Sequence, residues 1–444
     1  MKLWIRTLLL FLLTLPVFPL LLVYAAFQRK LKGTVMERCL FGDWRVLHRG
    51  KAQRVWVHAA SVGEFLGVLP LLKRLESELT RHQVVMTATS KAGKAEMRKH
   101  LPRHLSLLLP VDFLPLMLGA FFKVRPGLLL IAETEIWPTM LILAHLTKTP
   151  VVFVNARISD YAFSGYQRMQ WLLRPVLAQV TLICAQSETD RARFLALGAL
   201  ADNVIVTGST KYDSGQAEVD TGALSRLALE IGIEDSRPCF VAGSVRMGEE
   251  DVVLSAFLAL REKIPGVQMI FAPRQVELFD AMFEKVRHRL DGATINLQRR
   301  SAGACKGNVD VIFLDTIGEL SRCYAFADVA FVGGGFIPGI GGHNPLEPAM
   351  HAVPVTFGPE MNNFRDAVAA LVAEGAGVTV ANAEELQNCL LRWFADRSFA
   401  VQAGERAQGI WRNNLGATEI VSNELRERGL CVLSSSGVSN RGCQ

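Results

Sequence analysis

A serine and a glutamate stand three residues apart in the segment HAASVGEFLGVL, residues 58–69, just after the apolar run VWV at 55–57. The apolar run predicts a strand, and the residues after it predict a turn followed by a helix. Ser61 and Glu64 have the spacing of a capping box, in which each side chain satisfies a free backbone N–H at the start of a helix. Glu64 is also a candidate general base, so this segment alone leaves two interpretations open.

Other charged residues follow predicted strands in the first half of the chain. ETEIWP at 133–138 puts Glu133 directly after a buried strand, where a carboxylate is costly unless it is paired or used. Glu135 is either a second acid or a residue of the first turn of the next helix. NARIS at 155–159 and GSTK at 208–211 follow two further strands. These strand ends therefore form a candidate site for acid–base chemistry.

In the second half, four strand ends carry an arginine, hydroxyl groups and free backbone N–H groups, which suit a nucleotide phosphate. The glycines let the backbone approach a phosphate, but an ordinary turn is an equal alternative and GxGxxG spacing is not met. Glu347 either accepts bonds from ribose hydroxyls or compensates a helix dipole. His58 and His343 are candidate bases, or they only hydrogen-bond a loop. No aspartate pair occurs, so no dedicated magnesium site is expected. The four segments are GSVRMGEE at 243–250, APR at 272–274, DTIGE at 315–319 and GGGFIPGIGGHNPLEPA at 333–349.

The elements that must position these residues are short β-branched runs that alternate with helix-length segments. This pattern predicts a parallel sheet with helices on both faces. The pattern lapses in a polar stretch at 212–238 and then starts again, so two consecutive doubly wound domains are expected. The predicted strands are 55–59, 84–89, 105–110, 128–133, 151–156, 180–186 and 204–209, then 239–244, 267–273, 309–315, 329–335 and 353–358.

Each domain should carry its ligand-binding loops at the carboxyl ends of its strands, and the cleft between two such domains is the expected site. The predicted fold class is therefore α/β, with two Rossmann-like domains facing a cleft. The predicted boundaries are an N-terminal anchor and basic flank at 1–32, a first domain at 33–212, a linker at 213–238, a second domain at 239–425 and a polar tail at 426–444.

Residues 7–27 contain no charge over 21 positions, about the length that spans hydrocarbon. A cleaved signal peptide is the alternative, but the run is longer than a usual signal h-region. Basic residues are more frequent after the run than before it, which predicts an N-terminal inner-membrane anchor with the body in the cytoplasm. Pro16 and Pro19 leave open whether the segment spans the membrane or lies in its interface.

Composition is consistent with a folded protein whose partners are anionic. The chain is 50% hydrophobic, with a formal charge of +6 and a pI near 8.9. A phosphorylated sugar or an acidic lipid surface fits this charge, whereas nucleic acid fits poorly because no basic motif interleaved with aromatics appears. The eight cysteines are scattered without metal spacing, as in cytosolic proteins.

Seven ordered motifs resemble those of the 3-deoxy-D-manno-octulosonic acid (Kdo) transferases, from the anchor to about residue 425. The resemblance implies a GT-B fold and a membrane-anchored, inverting, metal-independent glycosyltransferase of lipopolysaccharide synthesis that needs no cofactor. Its donor would be CMP-Kdo and its acceptor the phosphorylated lipid A precursor, lipid IVA. The motifs are SVGE at 61–64, ETEIWP at 133–138, NARIS at 155–159, GSTK at 208–211, PR at 273–274, IGE at 317–319 and GGHNPLE at 341–347.

The resemblance also implies residue roles. Glu64 would be the proton acceptor, and Glu133 and Lys211 would stabilise the transition state. A glutamate with an unperturbed pKa of about 4.3 is ionised at neutral pH and can take the proton of the attacking hydroxyl. Lys211, Arg274 and a helix N-terminus would meet the phosphate of the leaving CMP. CMP itself would be held by Pro273, Arg274, Ile317, Gly318, Glu319, Asn344, Pro345, Leu346 and Glu347.

The chain departs from the family pattern at three places on the donor side: ATSKAG at 88–93, Val245 and Gln275. The number of Kdo units transferred and the oligomeric state are open. Two other functions also remain possible: a nucleotide-sugar 2-epimerase on a similar frame, and a non-catalytic tethered protein that binds nucleotide.

Overall fold

The computed structural model describes residues 34–47, 54–76, 84–133, 135–215, 221–234, 236–304 and 307–430. The chain divides into two compact units. The first runs to Ser214 and resumes at Leu415, and the second is Gly215–Asn414. Each unit is an α/β fold built on one parallel sheet, as predicted.

In its described part, the first unit contains a parallel sheet with the strand order β3-β2-β1-β4-β5-β6-β7. The order reverses between β1 and β4, so the loops after these two strands border one crevice at the carboxyl edge of the sheet. The strands are β1 Arg54–His58, β2 Val84–Ala88, β3 Leu105–Leu108, β4 Pro126–Ala132, β5 Val151–Ala156, β6 Leu182–Ala185 and β7 Val204–Val206.

Helices cover both faces of this sheet because successive strand residues point to opposite sides. Trp56 packs in one apolar cluster with Trp44 and Phe121, whereas Val55 packs in the other with Phe65. The helices are α1 Val35–Arg38, α2 Val62–Glu76, α3 Lys91–His100, α4 Leu114–Val124, α5 Pro138–Leu146, α6 Asp160–Arg168, α7 Gln170–Leu177 and α8 Glu188–Leu197.

The second unit has the strand order β10-β11-β9-β8-β12-β13-β14, and its order reverses between β8 and β12. Its core includes a layer of buried phenylalanines from four central strands, among them Phe240 and Phe331. The strands are β8 Cys239–Val245, β9 Gln268–Pro273, β10 Leu297–Arg299, β11 Val311–Phe313, β12 Val329–Val332, β13 Val355–Phe357 and β14 Gly377–Thr379. The helices are α9 Thr221–Ile231, α10 Glu250–Lys263, α11 Phe279–Leu290, α12 Leu320–Cys323, α13 Leu346–Met350, α14 Arg365–Ala373, α15 Ala383–Ala395 and α16 Arg397–Asn413.

The last described helix, α17 (Ala417–Glu427), belongs to the first unit, which differs from the predicted boundary at residue 425. Its Val421 and Leu425 pack in the same apolar cluster as Phe65 of α2. The carboxylate of Asp213 accepts the backbone N–H of Gly416 at 2.8 Å, which ties the start of α17 to the same unit.

The predicted linker at 213–238 also differs from the structure, because it contains α9 and most of it is counted with the second unit. All twelve predicted strands are present, with ends that differ by a few residues. Two edge strands, β10 and β14, are not predicted, because neither Leu297–Arg299 nor Gly377–Thr379 is an apolar run. Short 3-10 helices lie at Gly42–Val46, Ala201–Asn203, Tyr212–Gly215, Val276–Leu278, Arg300–Ala302, Tyr324–Phe326 and Asn362–Phe364.

The predicted membrane anchor at 7–27 lies outside the described residues and stays a prediction. Among the residues that are described, none of the helices combines the length and the apolar character that a membrane span requires.

Candidate active site

Glu64 lies in the first turn of α2, a few residues after the carboxyl end of β1. Its Oε2 accepts the backbone N–H of Ala60 at 2.7 Å, and its Oε1 accepts the hydroxyl of Ser61 at 3.0 Å. Ser61 Oγ accepts the backbone N–H of Glu64 at 3.3 Å. The predicted capping box is therefore present in a variant form. The carboxylate of Glu64 accepts the N–H of Ala60, the residue before Ser61, instead of the N–H of Ser61 itself.

Glu64 is not an ordinary surface carboxylate. Its pKa is raised to about 7, first by burial and then by the negative charges of Glu133 and Glu135, against the hydrogen bonds from Ala60 and Ser61. The expectation of a fully ionised glutamate with an unperturbed pKa is therefore wrong. A carboxyl group whose pKa lies near neutrality both loses and accepts a proton at the pH of the cell, which is the property that general-base catalysis requires.

Glu133 and Lys211 form an ion pair at the carboxyl edge of the same sheet, with Lys211 Nζ donating to Glu133 Oε1. Glu133 directly follows β4, and its φ of +53° is unusual for a residue with a side chain. Backbone in this region is strained by about 1–3 kcal/mol and is often found at functional sites. Lys211 thus provides the charged partner that a carboxylate at a buried strand end requires.

Behind Lys211 lies a buried polar cluster that joins three elements. Asn155, at the end of β5, has a φ of +55° and no exposed surface. Its Nδ2 donates to the carbonyl of Gly67 in α2 at 3.1 Å, and its Oδ1 accepts the backbone N–H of Thr210 at 2.9 Å. The hydroxyl of Thr210 also donates to the Gly67 carbonyl. This cluster fixes the backbone that carries Lys211.

His58 has a structural role, which decides between its two interpretations. The indole Nε1–H of Trp137 donates to His58 Nε2 at 3.2 Å, so this nitrogen is an acceptor. The proton is therefore on Nδ1, which lies 3.1 Å from the carbonyl oxygen of Thr87. Both ring nitrogens have hydrogen-bond partners and the ring is fully buried, which favours the structural interpretation.

In the second unit, Arg274 and Glu347 form the core of the predicted nucleotide site. Pro273 ends β9, and the exposed Arg274 follows it. Burial raises the pKa of Glu347, which lies in the first turn of α13, while the charge of Arg274 and a hydrogen bond from Asn344 lower it. The positive charge of Arg274 acts on the carboxylate of Glu347. A cationic side chain suits a phosphate, and a carboxylate suits the hydroxyl groups of a ribose.

His343 is neutral near pH 7. Burial lowers the pKa of His343 to about 4, and the positive charges of Arg274 and Arg246 lower it in the same direction. Its buried Nε2 has no hydrogen-bond partner in the described structure. The two arginines and the neutral imidazole therefore form a region that suits an anion.

Glu319 is held by an arginine that the sequence did not single out. Arg300 Nη2 lies 3.0 Å from Glu319 Oε1, and Arg300 Nε lies 3.2 Å from Oε2. Burial acts to raise the pKa of Glu319, but the bonds from Arg300 and Thr316 outweigh it and leave this pKa below its usual value. The neighbouring Ile317 is 75% exposed, and Gly318 has a φ of +90°.

Two backbone N–H groups of the glycine-rich loop after β12 are bound by a carboxylate of the protein itself, so these two are not free to bind a phosphate. The buried carboxylate of Glu249 accepts the backbone N–H of Gly334 at 2.8 Å and that of Phe336 at 3.0 Å. Gly335 is needed for another reason, because a Cβ there would lie 2.8 Å from the backbone of Gly358. Glu249 carries no sequence signal apart from its place after β8, and it fills the position that an anion would take.

The helix expected after this loop is short, since α13 has only five residues and begins at Leu346. Pro345 precedes it, and Asn344 Oδ1 accepts the backbone N–H of Leu346 at 3.0 Å. The side-chain carbonyl of Asn344 therefore satisfies the first N–H of the helix, and the same side chain also makes a hydrogen bond to Glu347.

Residues 34–214 match the model of a protein family described as 3-deoxy-D-manno-octulosonic-acid transferase (kdotransferase). The 3-deoxy-D-manno-octulosonic acid transferase of Bordetella pertussis is 32% identical over 391 residues, which cover 85% of this chain and 87% of the relative. The one of Haemophilus influenzae is 29% identical and covers 83% of this chain and 85% of the relative.

Solved structures of two-domain sugar enzymes share the fold. A glycosyltransferase from Rickettsia africae superposes with a TM-score of 0.58 at 12% identity, over 87% of this chain and 100% of that one. S. aureus MnaA, solved with UDP, gives a TM-score of 0.56 at 14% identity, over 88% of this chain and 100% of that one. At these identities the likeness concerns the fold alone.

Proposed function

Because this chain belongs to the family of 3-deoxy-D-manno-octulosonic acid transferases, which are glycosyltransferases, we propose that it moves Kdo from CMP-Kdo to the phosphorylated lipid A precursor, lipid IVA. The relatives' names give the sugar, and the donor and acceptor follow from the motif resemblance. The formal net charge of +6 and the apolar segment at 7–27 support a lipid acceptor at the inner membrane, with both units on the cytoplasmic side.

The observation that carries this proposal is the raised pKa of Glu64 beside the Glu133–Lys211 pair. In the proposed step an acceptor hydroxyl attacks the anomeric carbon of Kdo. The new C–O bond forms as the bond to the CMP phosphate breaks, and CMP leaves with the electron pair. Glu64 takes the hydroxyl proton, and a single displacement of this kind inverts the anomeric configuration.

Glu133 and Lys211 act on the charge that develops in this step. The anomeric centre becomes positive as in an oxocarbenium ion, and a fixed carboxylate such as that of Glu133 stabilises it. Lys211 is paired and partly exposed, so its ammonium group faces both Glu133 and solvent, where the acidic sugar and the departing phosphate carry negative charge.

The CMP moiety is proposed to bind the second unit. Arg274, which is exposed, is proposed to supply the positive charge for the phosphate, and Glu347 is proposed to accept bonds from the ribose hydroxyls. The remaining contacts are proposed for Pro273, Ile317, Gly318, Glu319, Asn344, Pro345 and Leu346. Cationic side chains take the place that a metal has in other transferases, so we expect transfer to be unchanged in EDTA.

The test is Glu64→Gln with CMP-Kdo and lipid IVA, read out by mass spectrometry of the lipid. We expect wild-type enzyme to add the mass of Kdo and the variant to add none, while CMP-Kdo binding, measured by calorimetry, stays within about twofold. Near-normal transfer by the variant would remove Glu64 from the mechanism. A wild-type enzyme that alters the donor but adds no mass to the lipid would favour an epimerase.

A further inference from the structure

We propose that Gly67, Asn155 and Thr210 are positioning residues that together hold the side chain of Lys211 against Glu133. These three residues, here called the lysine seat, lie on α2, at the end of β5 and next to Lys211 itself. Their effect on the rate of transfer rests on the proposed function, but their effect on Glu64 does not.

The first argument is steric. A Cβ added at Gly67 would lie 2.7 Å from Lys211 Cε and 3.0 Å from Lys211 Cγ. The aliphatic part of the lysine therefore lies across the position where Gly67 lacks a side chain. Glycine is unfavourable inside a helix compared with alanine, so its presence in α2 needs a reason, and this contact supplies one.

The second argument concerns the hydrogen bonds behind the lysine. The Gly67 carbonyl can only accept and the Thr210 N–H can only donate, so the orientation of the Asn155 amide is fixed by its partners. The hydroxyl of Thr210 adds a bond to the same carbonyl. Because Lys211 follows Thr210 directly, a shift of Thr210 displaces the lysine as well.

The lysine seat reaches Glu64 through charge. Glu133 and Glu135 are the negative groups that act on Glu64 from the ends of other elements, and Ala60 and Ser61 donate hydrogen bonds to it from its own loop. The ammonium group of Lys211 forms an ion pair with the carboxylate of Glu133 and partly neutralises its negative charge. Removal of the ammonium group from Glu133 exposes Glu64 to more negative charge, so the pKa of Glu64 should rise.

The central variant is Gly67→Ala. The new methyl group would meet side-chain atoms rather than backbone, with Lys211 Cε at 2.7 Å and Asn155 Nδ2 at 3.3 Å, so we expect a folded protein in which Lys211 has moved. Gly165→Ala is the matched control, since Gly165 lies in helix α6 of the same unit with open space around its Cβ position. Thr210→Val removes the hydroxyl, whereas Thr210→Ser keeps it.

The readout is a carbon-13 NMR titration of labelled glutamate carboxyl groups, with the Glu64 signal assigned by its loss in Glu64→Gln. We expect Gly67→Ala and Thr210→Val to raise the pKa of Glu64 by about half a unit or more and to slow transfer about tenfold. Thr210→Ser and Gly165→Ala should match wild type. In a Lys211→Met background, Gly67→Ala should change the rate less than about twofold, because both changes remove one interaction.

A pKa of Glu64 that is the same in Gly67→Ala as in wild type would overturn the proposal. Equal effects of Gly67→Ala with and without Lys211 would also overturn it, because the glycine would then act on something else. The titration needs no substrate. Absence of Kdo transfer by wild-type protein would therefore defeat the proposed function and leave the lysine seat to be decided by NMR.

Discussion

The pH dependence of transfer tests the electrostatics of Glu64 most directly. With a pKa of about 7, Glu64 is ionised in about half of the molecules at pH 7 and in about a tenth at pH 6. If it is the base, kcat/KM, which reports the ionisation of the free enzyme, should fall about fivefold between pH 7 and pH 6 and rise less than twofold from pH 7 to pH 8. A glutamate with an ordinary pKa would give an almost flat profile over this range.

The variant Glu135→Gln tests whether Glu64 is the group that titrates in the pH profile of transfer. Glu135 is one of the two negative charges that raise the pKa of Glu64, and its replacement by a neutral side chain of the same size should lower that pKa. The variant should therefore keep a larger fraction of its pH 8 rate at pH 6 than wild type does. Ionisation of the substrate phosphates is the same for both enzymes and cannot produce this difference.

The assay is kcat/KM for the acceptor from pH 5.5 to pH 9, with the product measured by mass spectrometry and folding checked by circular dichroism at each end. A profile without an acidic limb above about pH 5.5 would refute a raised pKa for the catalytic base. A limb near pH 7 that Glu135→Gln does not move would assign it to another group. Either result would separate the capping role of Glu64 from catalysis.

Three further changes test the sites. Between pH 4.5 and about 7 the folded state keeps a proton on Glu64 that the unfolded chain has lost, so the free energy of unfolding falls over this range and is constant above it. Glu64→Gln should therefore raise the free energy of unfolding at pH 8 by about 1–3 kcal/mol, and by less at pH 5.5, in urea titrations. Gly243→Ala should destabilise the second unit by about 1–3 kcal/mol, because its Cβ would overlap the buried hydroxyl of Tyr324; an unchanged melting temperature would contradict this packing. Arg300→Met removes the ion pair of Glu319 and leaves only its bond from Thr316, so it should weaken CMP binding about tenfold in calorimetry; unchanged binding would remove Glu319 from the nucleotide site.

The sequence by itself determined the α/β class, twelve of the strands and the strand-end positions of the site residues. This was possible because the signals are local. Buried parallel strands are runs of apolar and β-branched residues, and the carboxyl ends of parallel strands share one edge, so Glu64, Glu133 and Lys211 had to lie along it. The capping box was readable from two residues three positions apart.

The tertiary structure alone decided which of these groups touch and how they ionise. The contact between Glu133 and Lys211 joins residues 78 positions apart, and the raised pKa of Glu64 depends on burial and on charges from other strands. The hydrogen bonds from the glycine-rich loop to Glu249 also join distant segments of the chain. The same is true of the packing of α17 in the first unit. Such effects depend on distances and burial in space, and neither is encoded in the spacing of residues along the chain.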